Sequence, residues 1–191
     1  MTKTALIKQP LRSIFWFSGS RSKIYNFVWV IFGSLLIAAA AQVQIPMEPV
    51  PVTLQEFAVL LVAMSLGWRL GALSVIAYLL EGMVGLPVFA GFSAGPAILL
   101  GMNGGYLFAF LIAAVCCGWL AQRGWSRNFI LAFATALLGA IIILLIGTTY
   151  LAAFIGWHKA FLFGMLPFLL GDILKVVMLA FIIPKFWRRK S

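Results

Sequence analysis

The chain has 191 residues, of which 64% are hydrophobic and 9% are charged, and its formal net charge is +10. A soluble domain is about one half apolar and one quarter charged, so this composition excludes a soluble globular protein and predicts an integral membrane protein. The length accommodates about six helices of roughly 20 residues each in one bundle. Because the basic residues stand at the ends of apolar segments, they indicate membrane orientation rather than binding to nucleic acid.

Residues 1–23 form a basic segment that precedes the first apolar helix, predicted over 24–41. A signal peptide is the alternative, but this basic segment is long for one and further spans follow. Small residues lie along this helix at Gly33, Ser34, Ala38 and Ala41. Such a face lets membrane helices approach closely, so it either packs within the chain or docks another membrane protein.

The next segment carries Pro46, Pro49 and Pro51, which predicts an ordered, extended loop. Thr53 is a candidate helix N-cap, and Glu56 stands three residues later, as in a capping box. We therefore expect a second helix over 54–66. The sequence "GWRLG" at 67–71 predicts a tight turn, and a third helix is expected over 72–83.

Residues 85–105 are apolar but contain six glycines and two prolines, which no continuous helix tolerates. An irregular apolar segment cannot face lipid, because its backbone groups would lack hydrogen-bond partners. It must fold against the protein or cover a cavity. Asn103 is either the N-cap of the helix that follows or a residue that bonds a ligand, and the two roles are compatible.

The remaining helices are expected over 106–121, 129–154 and 167–186, followed by a basic tail at 188–191. The basic residues gather at the N-terminus, the Arg69 turn, the Arg123/Arg127 turn and the C-terminus, which alternate correctly for one membrane face. The sequence therefore predicts an all-α membrane domain over 24–187. It would have six transmembrane helices, cytoplasmic termini, and ordered outer loops over a binding cavity.

All four acidic residues, Glu48, Glu56, Glu81 and Asp172, fall in the outer half of this topology. Asp172 and Lys175 lie three residues apart on one face of the sixth helix and can pair. A charge near the bilayer centre costs roughly 2.5–3.5 kcal/mol on insertion scales, so both should face the bundle interior. The pair either holds the helix in place or binds a ligand that enters from outside.

The sequence lacks the motifs that several kinds of catalytic and metal-binding sites require. The chain has no Walker sequence for ATP hydrolysis, no cluster of histidine, cysteine and carboxylate suited to a metal, and a single histidine, His158, in a predicted outer connection. We therefore expect neither an enzyme nor a bound cofactor or metal.

Four motifs occur in a characteristic order: "IPMEPVPVTLQ" (45–55), "GLPVFAG" (85–91), "GGYLFAF" (104–110) and "PFLLGDILK" (167–175). Together they resemble the BioY family, the biotin-specific substrate-binding subunits of energy-coupling-factor transporters. The resemblance covers about residues 30–184. The chain departs from the family pattern at Phe92, where a second glycine is common, at "GMNGGY", and at Glu56 and Glu81, which replace neutral residues.

The resemblance implies a multi-pass cell-membrane protein that captures biotin from the outer side and works with a coupling membrane subunit and ATP-binding subunits. It implies binding by Asp172 and Lys175, with the loop around Gly91 and the stretch Thr53–Gln55 nearby, and docking through the first helix. Phe89, Phe92, Tyr106 and Tyr78 are candidates to line the apolar part of the site, and Asn103 is a further candidate for a ligand contact. The alternatives are a subunit for another small vitamin, or a membrane protein outside transport whose Asp–Lys pair is structural.

Overall fold

The structure is a computed structural model that describes residues 20–188 of the chain. Most of the predicted basic N-terminal segment and of the basic tail therefore lies outside the described residues. Helices account for most of the described part: α1 (Ser20–Gln42), α2 (Gln55–Leu66), α3 (Trp68–Met83), α4 (Pro96–Leu100), α5 (Gly104–Leu120), α6 (Phe129–Ile155), α7 (Trp157–Gly164) and α8 (Leu166–Arg188).

Four helical segments within the described residues are long and apolar enough to cross a membrane: Lys23–Gln42, Gly104–Trp125, Phe129–Ile155 and Trp157–Phe186. Helices α2 and α3 have 12 and 16 residues, and so are short for a full span. The fold is thus that of a helical membrane protein with four membrane-capable helices. The count of six spans stays a prediction.

The connection between α2 and α3 is tighter than the sequence indicated. The predicted turn over 67–71 is wrong, because α3 already begins at Trp68 and contains Arg69. Gly67 alone makes the break, with a φ of 83° that disfavours any residue with a side chain. Gly118 of α5 lies directly against this corner, and a Cβ added there would stand 2.5 Å from the Trp68 nitrogen.

Helices α5 and α6 form the centre of the bundle and approach each other closely through small residues. A Cβ added to Gly105 would lie 2.3 Å from Cβ of Tyr150. In the opposite direction, a Cβ on Gly147 would enter the ring of Tyr106. This is the close packing that small residues allow between membrane helices, and it fixes Tyr106 beside the first turn of α8, where its ring stacks on Phe168.

The small residues of α1 face α3 inside the chain. Ser34 and Ala41 are fully buried, and a Cβ added to Gly33 would lie 2.4 Å from the Ser74 hydroxyl. The Ser34 hydroxyl donates a hydrogen bond of 2.6 Å to Glu81. Of the four small residues, Ala38 alone is partly exposed. We therefore retain internal packing for this face, since docking through it would require α1 to leave α3.

The proline-containing loop is ordered, as predicted. Strand β1 (Gln44–Ile45) pairs antiparallel with β2 (Val52–Thr53), with Gln44 opposite Thr53. The predicted capping box is wrong, however. The Thr53 hydroxyl accepts a hydrogen bond from the Gln55 backbone N–H at 3.2 Å, but the Glu56 side chain turns away from it toward the bundle interior.

Residues 85–103, here called the lid, fold back over the end of the bundle at which α5 begins. Left-handed backbone at Gly85, Gly91 and Gly95 produces the turns, and α4 is the one α-helix within the lid. Gln42, the last residue of α1, ties the lid down. Its side chain donates to the Phe89 carbonyl at 3.1 Å and accepts from the Phe92 N–H at 3.0 Å.

Candidate ligand-binding site

Three ionisable side chains meet in the interior between α2 and α8. Lys175 Nζ lies 2.9 Å from Asp172 Oδ1 and 3.3 Å from Glu56 Oε2. The exposed fractions of Lys175, Asp172 and Glu56 are 8%, 3% and 5%. The predicted Asp–Lys pair is therefore present, and Glu56 joins it as a second carboxyl group. Burial of charges at this depth requires such pairing.

A cavity adjoins this ionic cluster. Its enclosed volume is about 50 Å³, within about 590 Å³ of empty space that includes open solvent. Its walls come from the β2–α2 corner, the lid, α5, α6 and the first half of α8. The lining residues are Val50, Pro51, Thr53, Gln55, Glu56, Phe89, Ala90, Ser93, Ile98, Asn103, Tyr106, Leu107, Phe110, Ile143, Leu144, Phe168 and Lys175.

The cavity is chemically divided. Its body is apolar and aromatic, formed by Phe89, Phe110, Ile143, Leu144 and Phe168. Glu56 and Lys175 provide charged groups in its wall. A mostly apolar enclosure with a few convergent polar groups is typical of small-molecule sites.

Three buried acceptor atoms at this site have no hydrogen-bond partner in the part of the chain that the structure describes: Glu56 Oε1, Asp172 Oδ2 and Asn103 Oδ1. Asn103 occupies the N-cap position of α5, as predicted, but its side chain makes no capping hydrogen bond. An acceptor that is buried without a donor costs free energy. A ligand that brings N–H or O–H donors would remove this cost.

The predicted site residues divide into those that line the cavity, those that stand behind its wall and those that do not reach it. Thr53, Gln55, Phe89, Asn103, Tyr106 and Lys175 line the cavity. Asp172 does not line it but bonds Lys175 from within α8.

Tyr78 also stands behind the wall. Its hydroxyl accepts a hydrogen bond from the Gln55 side chain, and its ring packs edge-on against Phe89 with centroids 5.5 Å apart. Tyr78 thus orients two lining residues without lining the cavity itself.

Gly91 and Phe92 do not reach the cavity. Both have left-handed backbone, with φ values of 66° and 56°, which turns this tip of the lid outward. The Phe92 side chain is 71% exposed. The prediction that these two residues contact the ligand therefore has no support in the cavity wall, whereas the neighbouring Ala90 and Ser93 line it.

Among the lining residues that sequence reasoning missed are Glu56, Phe110, Ile143, Leu144 and Phe168. The four apolar residues gave no signal, because a side chain that lines a cavity looks the same in sequence as one that packs in the core. Glu56 did give a signal. A carboxyl group at the start of an apolar helix requires a partner, and Lys175 was the available buried cation.

These features define the class of protein: a helical membrane protein with an internal cavity beneath an ordered lid. The described residues contain no group of histidine, cysteine and carboxylate side chains suited to a metal ion. Residues 13–191 match the BioY family. The chain therefore belongs to the BioY family, whose members carry the names of transporters rather than enzymes.

Relatives and a solved structure agree. The chain is 46% identical over 140 residues to the probable biotin transporter BioY of Pyrococcus horikoshii, covering 73% of this chain and 82% of that one. It is 43% identical over 148 residues to the biotin transporter BioY of Thermotoga maritima, covering 77% and 86%. A crystal structure of the S-component for biotin from an ECF-type ABC transporter superposes with a TM-score of 0.80 at 26% identity, covering 92% of this chain and 96% of that one.

Proposed function

We propose that this protein is the biotin-binding subunit of an uptake transporter in the cell membrane, with six spans and both termini in the cytoplasm. The cavity beside the Glu56–Asp172–Lys175 cluster is the observation that carries this proposal. The names of its relatives support biotin as the ligand, and the solved S-component supports a coupling membrane subunit and ATP-binding subunits as partners.

The chemistry of biotin matches the two parts of the cavity. Biotin has a fused ring with a urea group that offers two N–H donors and one carbonyl acceptor, followed by an apolar chain that ends in a carboxylate. Carboxyl oxygens of the cluster that line the cavity can accept from the urea N–H groups, and Lys175 can donate to the urea carbonyl. The aromatic body of the cavity suits the sulfur-containing ring and the chain.

The charges of the cluster determine the orientation in which biotin binds. Lys175 is already shared between two carboxyl groups, so it offers no unopposed positive charge to a third. Among the lining residues that the structure describes, Lys175 is the one cationic side chain. The biotin carboxylate should therefore point away from the cluster and toward the lid, with the urea ring innermost.

The cavity is too narrow for biotin as it stands. Small-molecule sites usually enclose about 300–1,000 Å³, whereas the enclosed volume here is only about 50 Å³. The lid is the element most able to make room, because three glycines with left-handed backbone form its turns and Gln42 is a main polar tie to α1. Biotin entry thus requires the lid to move outward.

The experiment is equilibrium binding of radiolabelled biotin to the purified chain in detergent. Asp172→Asn and Lys175→Met should each weaken binding at least about tenfold, the loss of one charge-assisted hydrogen bond. Lys159→Met, which removes an exposed lysine of α7, is the matched control and should bind like the wild type. Competition by unlabelled vitamins then tests selectivity.

Two results would contradict the proposal. Displacement of biotin by another vitamin at lower concentration would favour a different substrate. Absence of saturable binding, together with tolerance of an exchange of residues 172 and 175, would favour a structural ion pair in a protein outside transport.

A further inference from the structure

Glu56 is the feature of the site that the Asp–Lys pair does not explain. A pair of one carboxylate and one ammonium is already neutral, yet a second carboxyl group is buried against the same Lys175. Glu56 is 5% exposed and lines the cavity. One of its oxygens, Oε2, contacts Lys175, while Oε1 has no partner among the described residues.

We propose that Glu56 determines ligand specificity by accepting a hydrogen bond through Oε1 from one of the two urea N–H groups of biotin. This inference rests on the proposed function, because it assigns a contact within the biotin site. Lys175 holds the Glu56 carboxyl group in place through Oε2, so that the free oxygen is oriented before the ligand arrives.

A purely structural role accounts less well for this geometry. If Glu56 served only to neutralise Lys175, its longer contact of 3.3 Å would add little to the 2.9 Å contact of Asp172. It would also leave Oε1 buried without a hydrogen-bond donor, which costs free energy. An N–H donor on the ligand satisfies that oxygen and recovers the cost in the bound state.

The same reasoning excludes ligands that present acceptors at this point. An oxygen without a hydrogen atom, placed against Oε1, would bring two acceptors together and leave Oε1 without a donor. A site that hydrogen-bonds an N–H group of its ligand strongly rejects an analogue without that group, because the buried polar groups of the site then have no partner. Glu56 should thus select for a cyclic urea with free N–H groups.

The test is a double-mutant cycle in which a substitution at Glu56 is combined with methylation of a urea nitrogen of the ligand. Binding of biotin, N1′-methylbiotin and N3′-methylbiotin is measured by calorimetry on the wild type and on Glu56→Gln. Biotin binding should weaken roughly tenfold to a hundredfold in Glu56→Gln, as expected for a hydrogen bond to a charged group. For one of the two methylated ligands, which already lacks the contact, the substitution should change binding by no more than about twofold.

Glu56→Asp is the second variant. It keeps the charge beside Lys175 but draws the oxygens back by one methylene, so it should give the same pattern of losses and serves if Glu56→Gln does not fold. Equal losses for all three ligands in the folded variants, or unchanged biotin binding, would overturn the inference. Failure of the wild type to bind biotin would overturn the proposed function as well, so the two failures are distinguishable.

Discussion

Replacement of Lys175 by methionine is the perturbation whose cost the structure defines most closely. The ammonium lies 2.9 Å from Asp172 Oδ1 and 3.3 Å from Glu56 Oε2. Both carboxyl groups are at most 5% exposed. Lys175→Met therefore leaves two buried acids facing each other without their shared cation.

Removal of one member of a buried ion pair typically costs about 3–5 kcal/mol, because the remaining charge stays buried without compensation. For a chain of 150–250 residues, each kcal/mol lowers the melting temperature by roughly 2–4 °C. We expect Lys175→Met to melt about 6–20 °C below the wild type. It should also bind biotin at least about tenfold more weakly.

A triple variant separates the two effects. Glu56→Gln, Asp172→Asn and Lys175→Met together remove all three charges, and replacement of a whole buried ionic group by neutral residues is often close to neutral in stability. The triple variant should therefore regain most of the lost melting temperature but none of the biotin affinity. The assay is thermal unfolding in detergent, followed by calorimetry with biotin, with Lys159→Met as the control.

Two outcomes would refute this reasoning. If Lys175→Met has the same melting temperature as the wild type, then the cluster does not carry the opposed buried charges that the distances indicate. If the triple variant binds biotin as tightly as the wild type, then the charges serve the bundle and not the ligand.

Three further predictions concern the surroundings of the site. Gln42→Ala removes the hydrogen bonds that tie the lid to α1, so biotin should dissociate roughly fivefold to tenfold faster in a filter-binding chase; an unchanged rate would show that the lid is held elsewhere. Tyr106→Phe loses a hydrogen bond of 2.7 Å to an α7 carbonyl. It should lower the free energy of unfolding by about 1 kcal/mol in SDS titrations. A decrease smaller than the experimental error would show that this hydrogen bond does not stabilise the folded state. Gly105→Ala should destabilise by about 1–3 kcal/mol, because its Cβ would overlap Tyr150, whereas Gly171→Ala has open space and should not; equal melting temperatures would contradict the α5–α6 packing.

The charged residues made part of the site predictable from sequence. An acid and a base three residues apart in an apolar helix demand an interior position, and this placed Asp172 and Lys175 correctly. The same principle applied to Glu56, but its spacing from Thr53 also matched a capping box. A local pattern therefore competed with a partner 119 residues away, and sequence alone does not rank the two.

Other errors have the same origin in long-range packing. Arg69 indicated a polar turn, yet Gly67 alone suffices to separate α2 from α3. Phe92 seemed a natural cavity residue because it stands in an apolar segment, but the left-handed backbone at Gly91 and Phe92 turns it outward. Such a reversal depends on how the lid meets α1, which no local pattern encodes.

The central claim is that biotin lies in the cavity with its urea ring against the ionic cluster. A structure of the purified chain with biotin bound tests it most directly. The account predicts the urea group within hydrogen-bond distance of Lys175 and Glu56, the carboxylate beneath the lid, and a cavity wider than it is here. Biotin bound elsewhere, or bound with its carboxylate on Lys175, would contradict the account.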